Sequence, residues 1–280
     1  MKIVYRFICL LCLSVLVLQV RAQQDTLRVL AIGNSFSQDA VEQYLHELAL
    51  ASGKPIIIGN LYIGGAPLSL HWENAQGDKP AYSYRKIGMD GKKVVRSKTR
   101  LSYALKDEPW DYITLQQASP LSGKFETYKE PVTGLYQYIN NILQENTHIL
   151  WHQTWAYAPT STHKGFLNYN RDQQTMYKGI THASESVLGI APLEGVIPSG
   201  TAIQDARTVL GDDLTRDGYH LDLGIGRFIA ACTWYEFLFK QQAPVDKFRP
   251  EQVSSADAQI ARQAAHAANQ QAFKVTRLGK

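Results

Sequence analysis

The sequence predicts an α/β fold, a mainly parallel sheet with helices on both faces. Three observations point there. Short apolar segments rich in β-formers alternate along the chain with segments at helical spacing, the pattern that builds such sheets. The first apolar segment, from Leu27, breaks at Gly33-Asn34 with Ser35 at the break, and a helical pattern follows. A turn of that kind sits at the carboxyl edge of a sheet, where open α/β folds keep their ligands. Residues 23–280 also show no repeat, linker or low-complexity tract, and a chain of that size suits one domain with a large core.

The elements follow in order. Gln38 to Ser52 reads as a helix with Val41, Leu45, Leu48 and Ala49 on one side. Gly53-Lys54-Pro55 stops it, and Ile56-Ile57-Ile58 begins a second buried strand. Gly64-Gly65 is then either a strand-ending turn or a loop where backbone approaches a ligand closely. Between Ala81 and Leu101, segments carrying aromatic and basic residues flank Asp90-Gly91, a strong hairpin signal. This inserted β-hairpin either shapes a cleft or decorates the surface. Trp110 to Leu115 is a third core strand ending in Gln116-Gln117, and Val132 to Leu143 is a helix. His148 to Trp151 is a fourth strand, running into the polar and aromatic cluster His152 to Tyr157. A long helix over Asn168 to Leu188 and a short apolar stretch, Gly189 to Val196, come next. Ser199 to Leu210 is a helix with Ser199 near its cap, and Leu221 to Phe239, apolar almost all round, is a buried helix. The last helix, about 254–273, opens on the capping-box pattern Ser254-Ser255-Ala256-Asp257 and offers a seam of Ile260, Ala264, Ala268 and Ala272.

Residues 1–22 read as a secretory signal peptide. Lys2 and Arg6 lead, Phe7 to Val20 is apolar, and Val20-Arg21-Ala22 offers a cleavage site after Ala22. The apolar run is short for a membrane span and no second candidate follows. The expected product is periplasmic or secreted, without stable membrane insertion. The whole chain has 29 basic and 25 acidic residues, but Lys2, Arg6 and Arg21 leave with the leader and no acid does. The nearly neutral remainder argues against nucleic acid as a partner. Cys9 and Cys12 leave as well, so Cys232 stands alone, without a partner for an internal disulfide, and reads as a small hydrophobe in a buried helix.

Ser35 and Ser37 are each placed to cap the helix that follows them. Ser35 is also placed as a nucleophile, with helix N–H groups pointing at whatever it attacks. The segment is Gly-x-Ser-x-Ser, not the Gly-x-Ser-x-Gly of the α/β-hydrolase elbow. A serine nucleophile needs a base, and an imidazole base needs a group to hold its tautomer. Asp217 and His220 lie three residues apart in one glycine-containing loop. That spacing lets the carboxylate fold back onto one ring nitrogen while the other points into a cleft; taken alone, it reads first as a surface turn with a helix-capping acid. His71 with Trp72, and His152 with Trp155, are either ordinary histidines or the lining of a sugar subsite. There is no His-Glu-x-x-His, no paired Cys-x-x-Cys and no acidic cluster at metal spacing. No metal or organic cofactor is expected.

An early Gly-Asn-Ser at a strand end, a Gly-Gly loop after the second strand and a late Asp-x-x-His ahead of the last core helix resemble the SGNH hydrolase superfamily. Within it the chain is similar to the DUF4886-type branch of exported bacterial proteins, over roughly Leu27 to Phe239. The resemblance implies a three-layer α/β/α fold, SGNH hydrolase-like and flavodoxin-like. It makes Ser35 the nucleophile and one oxyanion N–H donor, Gly65 the second donor, His220 the base and Asp217 its orienting acid. The third block departs from the family. Many relatives have Gly-x-Asn-Asp, with the asparagine as an oxyanion donor, whereas this chain has Leu115-Gln116-Gln117-Ala118-Ser119. Gln116 is therefore assigned to the oxyanion hole, with Gln117 as its alternate. Gln117, His71 and Trp155 are the expected substrate contacts.

The implied reaction is ester hydrolysis through an acyl-enzyme, with O-acetylated carbohydrate as the expected substrate. A lipase- or thioesterase-like hydrolase with the same triad is the enzymatic alternative, which a wide apolar groove near Ser35 would favour. A non-catalytic glycan-binding protein is the other, favoured if His220 lies far from Ser35 and the hairpin closes the cleft.

Overall fold

The computed structural model describes residues 25–143 and 146–279; the leader reading of 1–22 lies outside them. Seven strands form one sheet: β1 (Leu27–Gly33), β2 (Ile56–Tyr62), β3 (Tyr82–Ile87), β4 (Lys93–Thr99), β5 (Tyr112–Leu115), β6 (His148–His152) and β7 (Val196–Ile197), in the spatial order β4-β3-β2-β1-β5-β6-β7. From β2 through β7 all neighbours are parallel. Counting the parallel strands alone, the order is 2-1-3-4-5, the flavodoxin-like winding. The chain leaves β1 towards β2 and later crosses back to β5, so the end of β1 is the topological switch point.

The helices are α1 (Ser35–Val41), α2 (Leu45–Ala51), α3 (Leu68–Gln76), α4 (Leu101–Asp107), α5 (Lys129–Asn140), α6 (Gln173–Ser186), α7 (Ser199–Leu210), α8 (Ile225–Phe239) and α9 (Ser255–Gln270). Alternate residues of β1 face opposite ways, and both faces are covered. Val29 and Ala31 pack with α1, α2, α7, α8 and α9, while Leu30 and Ile32 pack with α3, α4 and α5. This is the three-layer α/β/α arrangement. Among the described residues no helix is long and apolar enough to cross a membrane.

Several expected boundaries move, each for a local reason. The helix expected over 38–52 is two, because Tyr44 adopts a left-handed φ of 72°. That turn sets its ring edge-on to Phe228 and lets its hydroxyl donate to the Leu223 carbonyl. The long helix expected over 168–188 begins only at Gln173, since Asn170 and Arg171 both have φ of 54°. Asp172 then caps it by accepting the Thr175 N–H at 2.6 Å. The buried helix expected from Leu221 starts at Ile225, where the Asp222 carboxylate accepts the N–H groups of Gly224 and Gly226. Its buried Cys232 is the free cysteine of the described residues. Ser199 does not cap α7; its hydroxyl turns to His152 instead. The buried seam of α9 is Ala258, Ala261, Ala264, Ala265 and Ala268, one residue out of step with Ile260 at its start. The 81–101 hairpin is neither lid nor loose appendage. It pairs antiparallel with β2 and forms the edge of the sheet.

Candidate active site

β1 ends at Gly33, and the next residues build the site. A Cβ at position 33 would stand 2.7 Å from Ser37 Oγ and 2.8 Å from Gln116 Cδ, so any residue larger than glycine would displace these side chains. Asn34, extended, caps α1 by accepting the Phe36 N–H on its Oδ1 at 3.0 Å. Ser35 is thereby the first helical residue, lifted over the sheet's carboxyl edge. Ser37 is fully buried, donating to the Asn34 carbonyl at 2.8 Å and lying 2.9 Å from Asn60 Oδ1. Its role is to close the turn.

The Asp217–His220 loop comes to Ser35 across the cleft. His220 Nε2 lies 2.8 Å from Ser35 Oγ, and His220 Nδ1 lies 2.6 Å from Asp217 Oδ2. A carboxylate only accepts, so Nδ1 carries the ring proton and Nε2 presents its lone pair to the serine O–H. Asp217 Oδ1 also accepts the N–H groups of Tyr219 and His220. Burial raises the Asp217 carboxyl, but these donors outweigh it and hold the group below its ordinary value. The imidazole is flanked by the Tyr219 ring at 4.2 Å and the Phe36 ring at 6.0 Å between centroids.

A charge cluster centred on the buried Asp39 anchors the loop to α1. Asp39, one turn after Ser35 and fully buried, accepts the Leu221 N–H at 2.9 Å. It also takes Arg227 Nη2 at 2.5 Å and Arg216 Nη1 at 3.3 Å. Burial raises the Asp39 carboxyl against the opposing pull of Arg227 and Arg216.

Ser35 and His220 open into a cleft of about 470 Å³ whose walls include Tyr62, Gly65, Ser119, His163, Arg216 and Tyr219. Gly65 has φ of 66°, a left-handed conformation that glycine adopts without strain. Among the described residues neither the Ser35 nor the Gly65 N–H donates a hydrogen bond within the chain. Burial lowers the His163 pKa. Tyr62, Ser119, His163, Arg216 and Tyr219 carry no motif of their own; Arg216 and Tyr219 could have been noticed only as neighbours within the Asp-x-x-His loop. No group of three or more His, Cys, Asp or Glu among the described residues could hold a metal ion.

Four expected contacts face elsewhere. Gln116 is buried beneath the site, its Nε2 donating to Asn34 Oδ1 and its Oε1 accepting from His152 Nδ1, both at 2.9 Å. It does not line the cleft, so its assignment to the oxyanion hole is corrected. Gln117 is likewise turned in, accepting the Leu68 and Ala118 N–H groups and donating to Thr127. His71 is 1% exposed, stacked on Tyr82 in the core, and burial lowers its pKa to about 4. Trp155 is fully buried, stacked on Phe36 at 4.3 Å, and donates its Nε1–H to the Tyr219 carbonyl. It supports the site from behind. His71 is on the inward side of α3, whereas Gln116, Gln117 and Trp155 lie in the segments that follow β5 and β6, and all four are buried.

Comparison with known proteins agrees with this architecture. The family described as "Domain of unknown function (DUF4886)" matches residues 28–268. A crystal structure of a DUF4886 family protein from Bacteroides uniformis ATCC 8492 is 49% identical, with a TM-score of 0.89, covering 91% of this chain and 98% of that one. A protein from Slackia heliotrinireducens, proposed to be an SGNH hydrolase, shares the fold at 19% identity and a TM-score of 0.52, covering 76% of this chain and 98% of that one. No curated protein matches the chain.

Proposed function

The chain belongs to the DUF4886 family, and on that premise we propose that it is an exported serine esterase that removes acyl groups, O-acetyl above all, from carbohydrates. The observation that carries the reading is the continuous Asp217–His220–Ser35 hydrogen-bond relay, at 2.6 and 2.8 Å, opening into a cleft at the switch point of the sheet. Ser35 attacks the ester carbonyl as His220 Nε2 takes its proton, and Asp217 stabilises the imidazolium that forms. The Ser35 and Gly65 N–H groups receive the developing oxyanion, each such donor typically supplying about 3–4 kcal/mol. His220 then protonates the departing alcohol, and water repeats the cycle on the acyl-enzyme. No step requires a metal or organic cofactor.

The cleft supports a polar alcohol as leaving group. Its walls mix Tyr62, Tyr219 and His163 with Ser119, Gln38 and Arg216, whereas a lipase would need a wide apolar groove. None of its lining residues comes from the 82–99 hairpin, so the feature that would have favoured a closed binding protein is missing. The test is acetate release from para-nitrophenyl acetate and from a panel of acetylated glycans, for wild type and Ser35→Ala. Loss of turnover in the variant is the expected result; equal turnover in both would remove Ser35 from the mechanism.

A further inference from the structure

Buried Gln116 belongs to a polar path that runs beneath the site, along the carboxyl ends of β5 and β6 to the start of α7. Its direction follows from one backbone group. The Phe36 N–H is a donor, so the Asn34 atom that receives it is the carboxamide oxygen, and Asn34 Nδ2 donates to the Ala66 carbonyl at 3.1 Å. The Gln116 atom 2.9 Å from that same oxygen must be Nε2. Gln116 then turns Oε1 to His152, so His152 Nδ1 is protonated and donates at 2.9 Å. The neutral ring has its lone pair on Nε2, which accepts the Ser199 O–H at 3.1 Å. All four side chains are at most 2% exposed. Burial lowers the His152 pKa to about 3, keeping the ring in the neutral form this direction requires.

We propose that Ser199, His152 and Gln116 form a one-way hydrogen-bond chain that orients the Asn34 carboxamide and, through it, sets the spacing of the two oxyanion N–H donors. Asn34 touches both halves of the hole. Its Oδ1 caps the turn that carries Ser35, and its Nδ2 ties down Ala66, next to Gly65. Rotating that carboxamide would put an oxygen against the Ala66 carbonyl and an NH2 against the Phe36 N–H, opening both contacts at once. The Gln116 N–H disfavours that rotation, and the His152 N–H disfavours the matching rotation of Gln116. Gln116, His152 and Ser199 are thus positioning residues. The third-block glutamine acts on the oxyanion hole from beneath rather than facing the ester.

The inference rests on the esterase reading, and its test separates the two. Gln116→Met keeps the length of the side chain and removes both its donor and its acceptor; Ser199→Ala removes only the terminal donor. Steady-state kinetics on para-nitrophenyl acetate are measured with inhibition by phenylboronic acid, whose tetrahedral serine adduct occupies the oxyanion hole. Displaced donors are expected to lower kcat about 10- to 100-fold in Gln116→Met, with KM changed less than about twofold. Boronate affinity should weaken by a similar factor, and Ser199→Ala should move the same way by roughly 3- to 10-fold. A merely structural role would lower stability and leave the boronate-to-KM ratio unchanged. If Gln116→Met does not fold, Ser199→Ala decides. Wild-type turnover with kcat and boronate affinity unaltered in the folded variants would overturn the chain alone. Absence of wild-type turnover, or equal turnover in Ser35→Ala, would overturn the esterase reading and the chain with it.

Discussion

Replacing Asp217 by asparagine probes the Asp217–His220–Ser35 relay with minimal change of shape. The carboxylate Oδ1 accepts the Tyr219 and His220 N–H groups at 3.1 and 2.7 Å. An asparagine carbonyl keeps both bonds and the loop. Its NH2 then occupies the place of Oδ2, 2.6 Å from His220 Nδ1. A donor there turns Nδ1 into an acceptor and moves the ring proton to Nε2, facing Ser35 Oγ at 2.8 Å. In that tautomer the imidazole has no lone pair for the serine proton. Loss of the correct tautomer lowers kcat about 10³- to 10⁴-fold in a serine hydrolase, which at about 1.4 kcal/mol per decade is roughly 4–5.5 kcal/mol of barrier. Since Asp217 is partly exposed, with 36% of its side chain accessible, its charge contributes little to folding. The expected outcome of Asp217→Asn is therefore a collapse of kcat on para-nitrophenyl acetate with KM and melting temperature nearly unchanged. A variant within about tenfold of wild type would refute the tautomer argument, as would a kcat loss explained entirely by unfolding.

Two buried carboxylates give predictions of opposite sign. Asp39→Asn leaves Arg216 and Arg227 facing a neutral group at a buried position; breaking a buried pair by removing one partner costs about 3–5 kcal/mol. Thermal unfolding should show a melting temperature lower by roughly 6–20 °C, with kcat reduced because Leu221, which Asp39 holds, follows His220 directly; an unchanged melting temperature would contradict the assigned anchor. Asp205 is fully buried on α7, accepts only the Thr276 N–H at 2.7 Å, and has no partner for Oδ2 among the described residues. Burial, opposed by that N–H, raises its pKa to about 7. The folded state thus keeps a proton that the unfolded chain releases near pH ~4, so this contribution to stability is present in acid and lost as pH rises from about 4 through 7. Asp205→Asn should flatten that slope and be more stable than wild type by about 1–3 kcal/mol at pH 8. Parallel pH–stability curves for the two proteins would refute it.

What the sequence made legible was whatever local chain geometry decides. A strand, a Gly-Asn turn and a helix put Ser35 at the sheet's edge without reference to the rest of the molecule. Asp217 and His220, three residues apart, meet because one loop brings them together. The misassigned residues needed tertiary knowledge. Gln116 and Trp155 follow the ends of β5 and β6 and His71 lies within α3, and their polar or aromatic character suits a ligand contact; which way each points depends on what packs against it in the fold. The Asp39–Arg216–Arg227 cluster joins residues 177 and 188 positions apart and has no local pattern at all. The same distinction bears on the third block. Beside the Gly-x-Asn-Asp of the superfamily that the sequence resembles, Gln116 looks like a longer replacement for a missing oxyanion donor, and length alone cannot say where its amide goes. Gly33 decides it. With no Cβ on the last residue of β1, Gln116 Cδ can lie 2.8 Å from where that atom would be, under the turn and within reach of Asn34. A glycine before the Ser35 turn and a glutamine just after β5 are therefore two halves of one packing arrangement, and a larger residue at position 33 would drive the glutamine off Asn34.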